Sequence, residues 1–248
     1  MYLLALIGLL CLSSGPVLSD ETGLRVYTWT AFRAEDGLGH NIVTSVVETP
    51  DNVLWFATRG GGIARYDGRD WRVFTVKDGL PGNAFGSLYV AVDGVLWATG
   101  AIGHSGGRQI AKFQDHKWEA VDLPEHLAKA GVGQVVGVGN GGLCFATSGD
   151  GILHYDGAEW KTITEREGLD SNHISCMLRS KDGTVWAAYG GRRRNNGGKR
   201  RQMPGRLAGS ASGVSRFDPV DKKWVRFSEF DDQAGENIMS MAEVTCPH

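Results

Sequence analysis

Tryptophan returns in this chain at a nearly constant interval, and that interval limits the folds open to it. Trp55 and Trp97 lie 42 residues apart, Cys144 takes the same local context 47 residues further on, and Trp186 follows after another 42. A second column keeps the register: Tyr66, Phe113, Tyr155 and Phe217 each lead through a short turn to Trp71, Trp118, Trp160 and Trp224. Self-similarity at such a period marks an array in which every repeat is one supersecondary unit.

A third column lies between the other two. It reads Gly37-Leu38-Gly39-His40-Asn41, Gly79-Leu80-Pro81-Gly82-Asn83 and Gly168-Leu169-Asp170-Ser171-Asn172, with Glu236-Asn237 as a degenerate fourth copy. The third unit offers Leu123-Pro124-Glu125 instead. Each unit then runs from this turn through an apolar stretch such as Ile42 to Val47, Val53-Leu54-Trp55, Ile63-Ala64-Arg65-Tyr66 and Trp71-Arg72-Val73-Phe74. These are four short segments of strand-forming residues. The turns between them carry Asp67-Gly68, Asp93-Gly94, Asn140-Gly141, Asp156-Gly157 and Asp182-Gly183, pairs that tolerate positive φ. No mature stretch sustains a helical period. The pattern predicts an all-β fold, a β-propeller of four-stranded antiparallel blades, with about four complete blades and partial ones at both ends. The units fall at about 33–74, 75–121, 122–163 and 164–227, with a partial one over 228–248 and Leu24 to Phe32 as a lone outer strand.

Composition fits a soluble globular chain, and 36 glycines among 248 residues suit an architecture of hairpins. Residues 1–19 stand apart: Leu3 to Leu12 is apolar but short for a membrane span, and Val17-Leu18-Ser19 supplies small residues for cleavage. They read as a secretory signal peptide, which places residues 20–248 in the periplasm or outside the cell; left uncleaved, the segment is a membrane anchor. The mature chain keeps Cys144, Cys176 and Cys246, an odd number with no metal-site spacing, and the first two read as buried apolar residues.

Gly168-Leu169-Asp170-Ser171-Asn172-His173-Ile174 followed by Lys181-Asp182-Gly183-Thr184-Val185-Trp186 resembles the two-component regulator propeller repeat. So do Asp78 to Asn83 with Asp93 to Trp97, and Asp36-Gly37-Leu38 with Leu54 to Thr58. The resemblance runs over roughly residues 24 to 248. It implies seven-bladed propellers, found in the periplasmic half of hybrid sensor histidine kinases and in some exported proteins. The sequence shows no kinase, receiver module or second membrane segment, so the resemblance implies a sensing or binding role and no signalling output. With a blade count this short, the sequence reads as a piece of a longer protein, with closure of the ring between copies as the alternative.

What recurs in every unit is scaffold, so Asn41, Asn83, Asn172 and Asn237 read as turn and cap residues. What departs from the repeat is where function lies. Two units carry expanded loops on the face shared by the leading turns and the turns between second and third strands. One runs from Gly100 to Gln109 and holds His104. The other, at 190–212, holds Arg192, Arg193, Arg194, Lys199, Arg200, Arg201 and Arg206 and no acid, seven of the chain's 26 basic residues. The remaining 19 face 28 acidic residues, so a formal charge of −2 hides a polarised molecule. The candidate ligand-binding residues are therefore His40, Arg59, His104, His173 and the basic loop. No catalytic motif, metal site or cofactor-binding motif emerges, nor any phosphate-binding glycine loop or base-stacking surface. The reading is a non-catalytic exported module for a small molecule, oligosaccharide or protein ligand, with anionic ligands suited to the basic loop. It binds no nucleic acid, and self-association or further blades could close the ring. A propeller lyase or polysaccharide-cleaving enzyme, and a structural, oligomer-forming protein, are the rivals, because a propeller alone does not dictate function.

Overall fold

A computed structural model describes residues 30–100, 109–127, 131–139, 141–189, 213–218 and 223–227. The segment read as a signal peptide, the basic loop, the outer strand read at 24–32 (residues 30–32 apart) and the partial unit read at 228–248 lie outside them. The chain divides into two units at Phe32, and the second, Arg33 to His248, carries all the described strands.

Those strands form four separate four-stranded antiparallel sheets. Blade 1 comprises β1 (Val43–Glu48), β2 (Leu54–Thr58), β3 (Ile63–Tyr66) and β4 (Trp71–Phe74). Blade 2 comprises β5 (Phe85–Val90), β6 (Leu96–Gly100), β7 (Ile110–Gln114) and β8 (Lys117–Ala120). Blade 3 comprises β9 (Val132–Val138), β10 (Gly142–Thr147), β11 (Ile152–Tyr155) and β12 (Trp160–Ile163), and blade 4 β13 (Ile174–Arg179), β14 (Val185–Tyr189), β15 (Val214–Asp218) and β16 (Lys223–Phe227). Each sheet is an up-and-down meander in chain order. The first strands β1, β5, β9 and β13 abut in succession, so they are the innermost and the fourth strands the outermost. This is the propeller arrangement predicted from the repeat.

The two aromatic columns explain why blades stack. Within a blade, Tyr66 faces Trp71, Phe113 faces Trp118, Tyr155 faces Trp160 and Phe217 faces Trp224 across the third and fourth strands. Ring centroids in these pairs lie 4.6, 5.3, 4.7 and 5.7 Å apart. Between blades, Trp55 of blade 1 packs on Phe113 and Trp118 of blade 2, and Trp97 of blade 2 packs on Phe145 and Tyr155 of blade 3. The second-strand tryptophan is therefore buried by the blade that follows it. In blade 3 the buried Cys144 takes that position and packs in a cluster with Trp224 of blade 4.

Side chains also stitch the innermost strands together. A bulge interrupts the pairing between Val43 and Ser45, Phe85 and Ser87, and Ile174 and Cys176. Such bulges twist a strand and leave backbone groups unpaired. The Thr44 hydroxyl donates to Phe85 O at 2.7 Å, the Leu88 amide donates to Ser45 Oγ at 3.1 Å, and the Met177 amide donates to Gln134 Oε1 at 2.6 Å. The Thr99 hydroxyl donates across the next boundary to Gly133 O.

The leading turns contain a feature that the sequence reading treated only as turn. One turn of 3₁₀ helix, at Ala34–Asp36, Val76–Asp78, Glu125–Leu127 and Glu165–Glu167, precedes each first strand. In three blades the recurrent asparagine reaches back seven residues and accepts from the helix's first amide: Asn41 Oδ1 from Ala34 N, Asn83 Oδ1 from Val76 N and Asn172 Oδ1 from Glu165 N, at 2.8 to 3.1 Å. The scaffold role read for these asparagines is what the geometry gives; Asn237 lies outside the described residues. In the same three blades the glycine before Leu ends the helix, with φ of +113, +96 and +106° at Gly37, Gly79 and Gly168. A Cβ on Gly79 would also lie 2.4 Å from Trp118 O.

Candidate functional site at the insertion-bearing face

The leading turns and the turns between second and third strands share one face, as expected. The Arg59 amide donates to Ile42 O at 3.1 Å, Gly62 N to Asn83 O at 2.8 Å and Gly151 N to Asn172 O at 2.9 Å. The last two bonds run from one blade's turn to the leading turn of the next.

In two blades a threonine at the end of the second strand closes a short turn. The Thr58 hydroxyl donates to Gly62 O at 2.8 Å and accepts from Gly61 N at 3.0 Å. The Thr147 hydroxyl repeats both bonds, to Gly151 O at 2.7 Å and from Asp150 N at 2.9 Å. Strand register places Gly100 and Tyr189 at this position in blades 2 and 4, opposite Phe85 and Ile174. The two blades that lack the threonine are the two that carry expanded loops.

In blade 4 the replacement is part of a cluster. The Asp170 amide donates to Tyr189 Oη at 3.2 Å, and Asp170 Oδ1 lies 3.5 Å from Arg226 Nη1. Ser215 Oγ and Asp170 Oδ2 are both closed off from solvent, and neither has a hydrogen-bond partner. Burial raises the pKa of the fully buried Tyr189 phenol, partly opposed by the hydrogen bond from the Asp170 amide. Gly213, where the long loop returns to β15, comes so close that a Cβ there would lie 3.3 Å from Asp170 Oδ2. All four polar residues break the repeat. Their counterparts are Gly39 and Pro81 for Asp170, and Ala64, Ala111 and Leu153 for Ser215; for Arg226 they are Val73, Ala120 and Thr162. A buried carboxylate oxygen without a donor is costly, about 1–3 kcal/mol or more for a charged group, and so calls for a purpose.

Sequence reading placed the site on this face but missed Asp170, Tyr189, Ser215 and Arg226. Comparing the four units column by column within the strands, and not only in the loops, is the signal that finds them. Of the predicted residues, exposed Arg59 and half-buried His40 stand together in blade 1: His40 lies against the Gly60-Gly61 turn, and its Nδ1 accepts from Ile42 N at 3.0 Å. Exposed His173 leads into blade 4 and bridges to Ser148 of blade 3, beside Gly149. The two histidines thus belong to separate turns. His104, Arg192, Arg193, Arg194, Lys199, Arg200, Arg201 and Arg206 lie outside the described residues.

Chemically, the described part of this face offers acceptors, hydroxyls and a guanidinium suited to holding a polar ligand. Among the described residues no group of three or more His, Cys, Asp or Glu could hold a metal ion. The Cys144 thiol is pushed up to about 12 and Cys176 is also raised, both by burial, which keeps them protonated and poor nucleophiles.

No curated protein matches the chain in sequence. Among solved structures, the chain is similar to an extracellular domain assigned to a hybrid two-component system of B. thetaiotaomicron (TM-score 0.58, 16% identity, 85% of this chain and 28% of that one). A second such domain from that organism matches at TM-score 0.56 and 20% identity, over 78% of this chain and 25% of that one. Virginiamycin B lyase from Staphylococcus aureus matches at TM-score 0.55 and 13% identity, over 79% of this chain and 57% of that one. The chain thus spans about a quarter of the length of the two-component domains and somewhat over half of the lyase. At these identities the likeness establishes the propeller fold. Residues 37–60, from the first Gly-Leu turn through Trp55, match the sequence profile of the two-component regulator propeller, and the chain is a β-propeller carrying a repeat of that family.

Proposed function

We propose that this chain is an exported, non-catalytic propeller module that binds a polar ligand or partner on its insertion-bearing face, as part of a sensing device of the two-component kind. The observation that carries the reading is the convergence of Asp170, Tyr189, Ser215 and Arg226, four departures from the repeat, at the root of the basic excursion. Rigid blades hold them, and variable loops supply the rest of the surface. The resemblance to extracellular sensing domains supports export and a receptor role.

A panel of acidic and neutral oligosaccharides, phosphorylated small molecules and peptides, screened by calorimetry on the mature protein, tests this reading. A saturable ligand is expected whose affinity falls about tenfold or more in Asp170→Ala, with melting changed little, since a charged hydrogen bond contributes about 1.5–3 kcal/mol. Arg59→Ala and His173→Ala measure how far the ligand extends over the neighbouring turns. Linearisation of a streptogramin B, or turnover of any panel member, overturns the non-catalytic reading. Full affinity in Asp170→Ala removes the site.

A further inference from the structure

The joint between innermost strands can be followed along the chain to the two places where it stops. Strand register aligns Thr44 with Ser175, Val43 with Phe85, and Val46 with Leu88, Val135 and Met177. At the first boundary the Thr44 hydroxyl donates to Phe85 O of the next blade, and the Leu88 amide donates back to Ser45 Oγ. Leu88, Val135 and Met177 each sit in a cluster with the blade before, and they are 5, 2 and 2% exposed.

In blade 1 the same column is bare: Val46 is 37% exposed, and Ile42, just before the strand, is 46% exposed. In blade 4 Ser175, the hydroxyl in Thr44's place, is exposed. Strands β13 and β1 are not among the pairs that abut. One edge thus offers a donor, and the other offers Val43 O together with uncovered apolar side chains. They are the two halves of a joint that recurs between this chain's own blades. Covering the valine column removes apolar surface from water, the force that also holds the inner boundaries. A second copy of the chain carries the missing half at either edge. The contact is then head to tail, the kind that closes into a ring when its rotation allows. Two copies bring four blades each, and propellers close with roughly four to eight.

We propose that the blade 4 edge at Ser175 is a docking surface for the blade 1 edge, at Val43 and Val46, of a second copy. The test is sedimentation of the full mature chain over a wide dilution series, and a concentration-dependent multiple of the monomer mass is expected. Val46→Glu and Ser175→Glu each place a charge where the joint excludes water, and each should weaken association about tenfold or more. Both positions are exposed in the single chain, so both variants should keep the parent's circular dichroism. Mixed in equal amounts, the two variants should recover a dimer, because the intact Ser175 edge of one meets the intact Val46 edge of the other. A monomer at every concentration, the result if residues 228–248 of the same chain cover the blade 4 edge, overturns the proposal. So does a mixture no larger than its parts, the result of contact between like faces. Asp170→Ala should leave the mass unchanged, and failure here leaves the proposed ligand face untouched.

Discussion

Asn172 shows how much a single repeated side chain does in this fold. Its Oδ1 accepts from Glu165 N at 3.0 Å while its own amide donates to Glu165 Oε1 at 3.2 Å, closing the leading turn from both sides. Asn172→Ala should cost about 1 kcal/mol, as loss of a helix cap does, whereas Asn172→Asp keeps the acceptor and should cost less; urea unfolding measures both. Gly79 combines a φ of +96° with a Cβ position 2.4 Å from Trp118 O, so Gly79→Ala should cost about 2 kcal/mol or more by the same assay. His154, half-buried on β11, has its pKa lowered chiefly by burial. The folded state therefore takes up this proton less readily than the unfolded chain. Its contribution is complete above the ordinary value of about 6.5 and is lost as pH falls from there toward the folded pKa. His154→Gln should flatten the fall in melting temperature between about pH 7 and pH 5.

At the scale of elements, the hairpin turns divide into two kinds. In Asp67-Gly68 and Asp156-Gly157 only the glycine has positive φ, and the aspartate instead accepts two backbone amides in the turn. Those bonds hold both carboxyls below their usual pKa, so the stability they lend is present above about pH 4 and lost on further acidification. Of these pairs, read from the sequence as tolerant of positive φ, it is the glycine that takes it. The β7–β8 turn differs: Asp115 and His116 both take positive φ, 51 and 62°, without a glycine. His116→Gly should raise stability by about 0.5–1 kcal/mol, read as a higher urea midpoint with an unchanged slope. Strands, turns and blade order were legible in the sequence because the repeat prints them four times. The 3₁₀ turns were not, since three residues are too few to show a period. The Asp170 cluster escaped because its members are scattered over 57 residues and meet only through pairing of β14, β15 and β16.

For the molecule as a whole, cohesion lies at blade boundaries. Trp55 is 3% exposed and rests on Phe113 and Trp118 of the neighbouring blade, so Trp55→Ala should cost about 3–5 kcal/mol in urea unfolding. Cys144, at the equivalent place two blades on, should resist a thiol reagent at pH 8 in the native state and label only on unfolding, as peptide mapping would show.

The direction of that packing has a consequence for synthesis. Because Trp55 and Trp97 are covered by blades that come later in the chain, a blade emerging from the ribosome displays its largest apolar side chain until its successor has been made. With 42 and 47 residues between successive column positions, that wait lasts roughly 2–10 s at ordinary elongation rates, a recurring interval of stickiness in which a holding chaperone has something to grip.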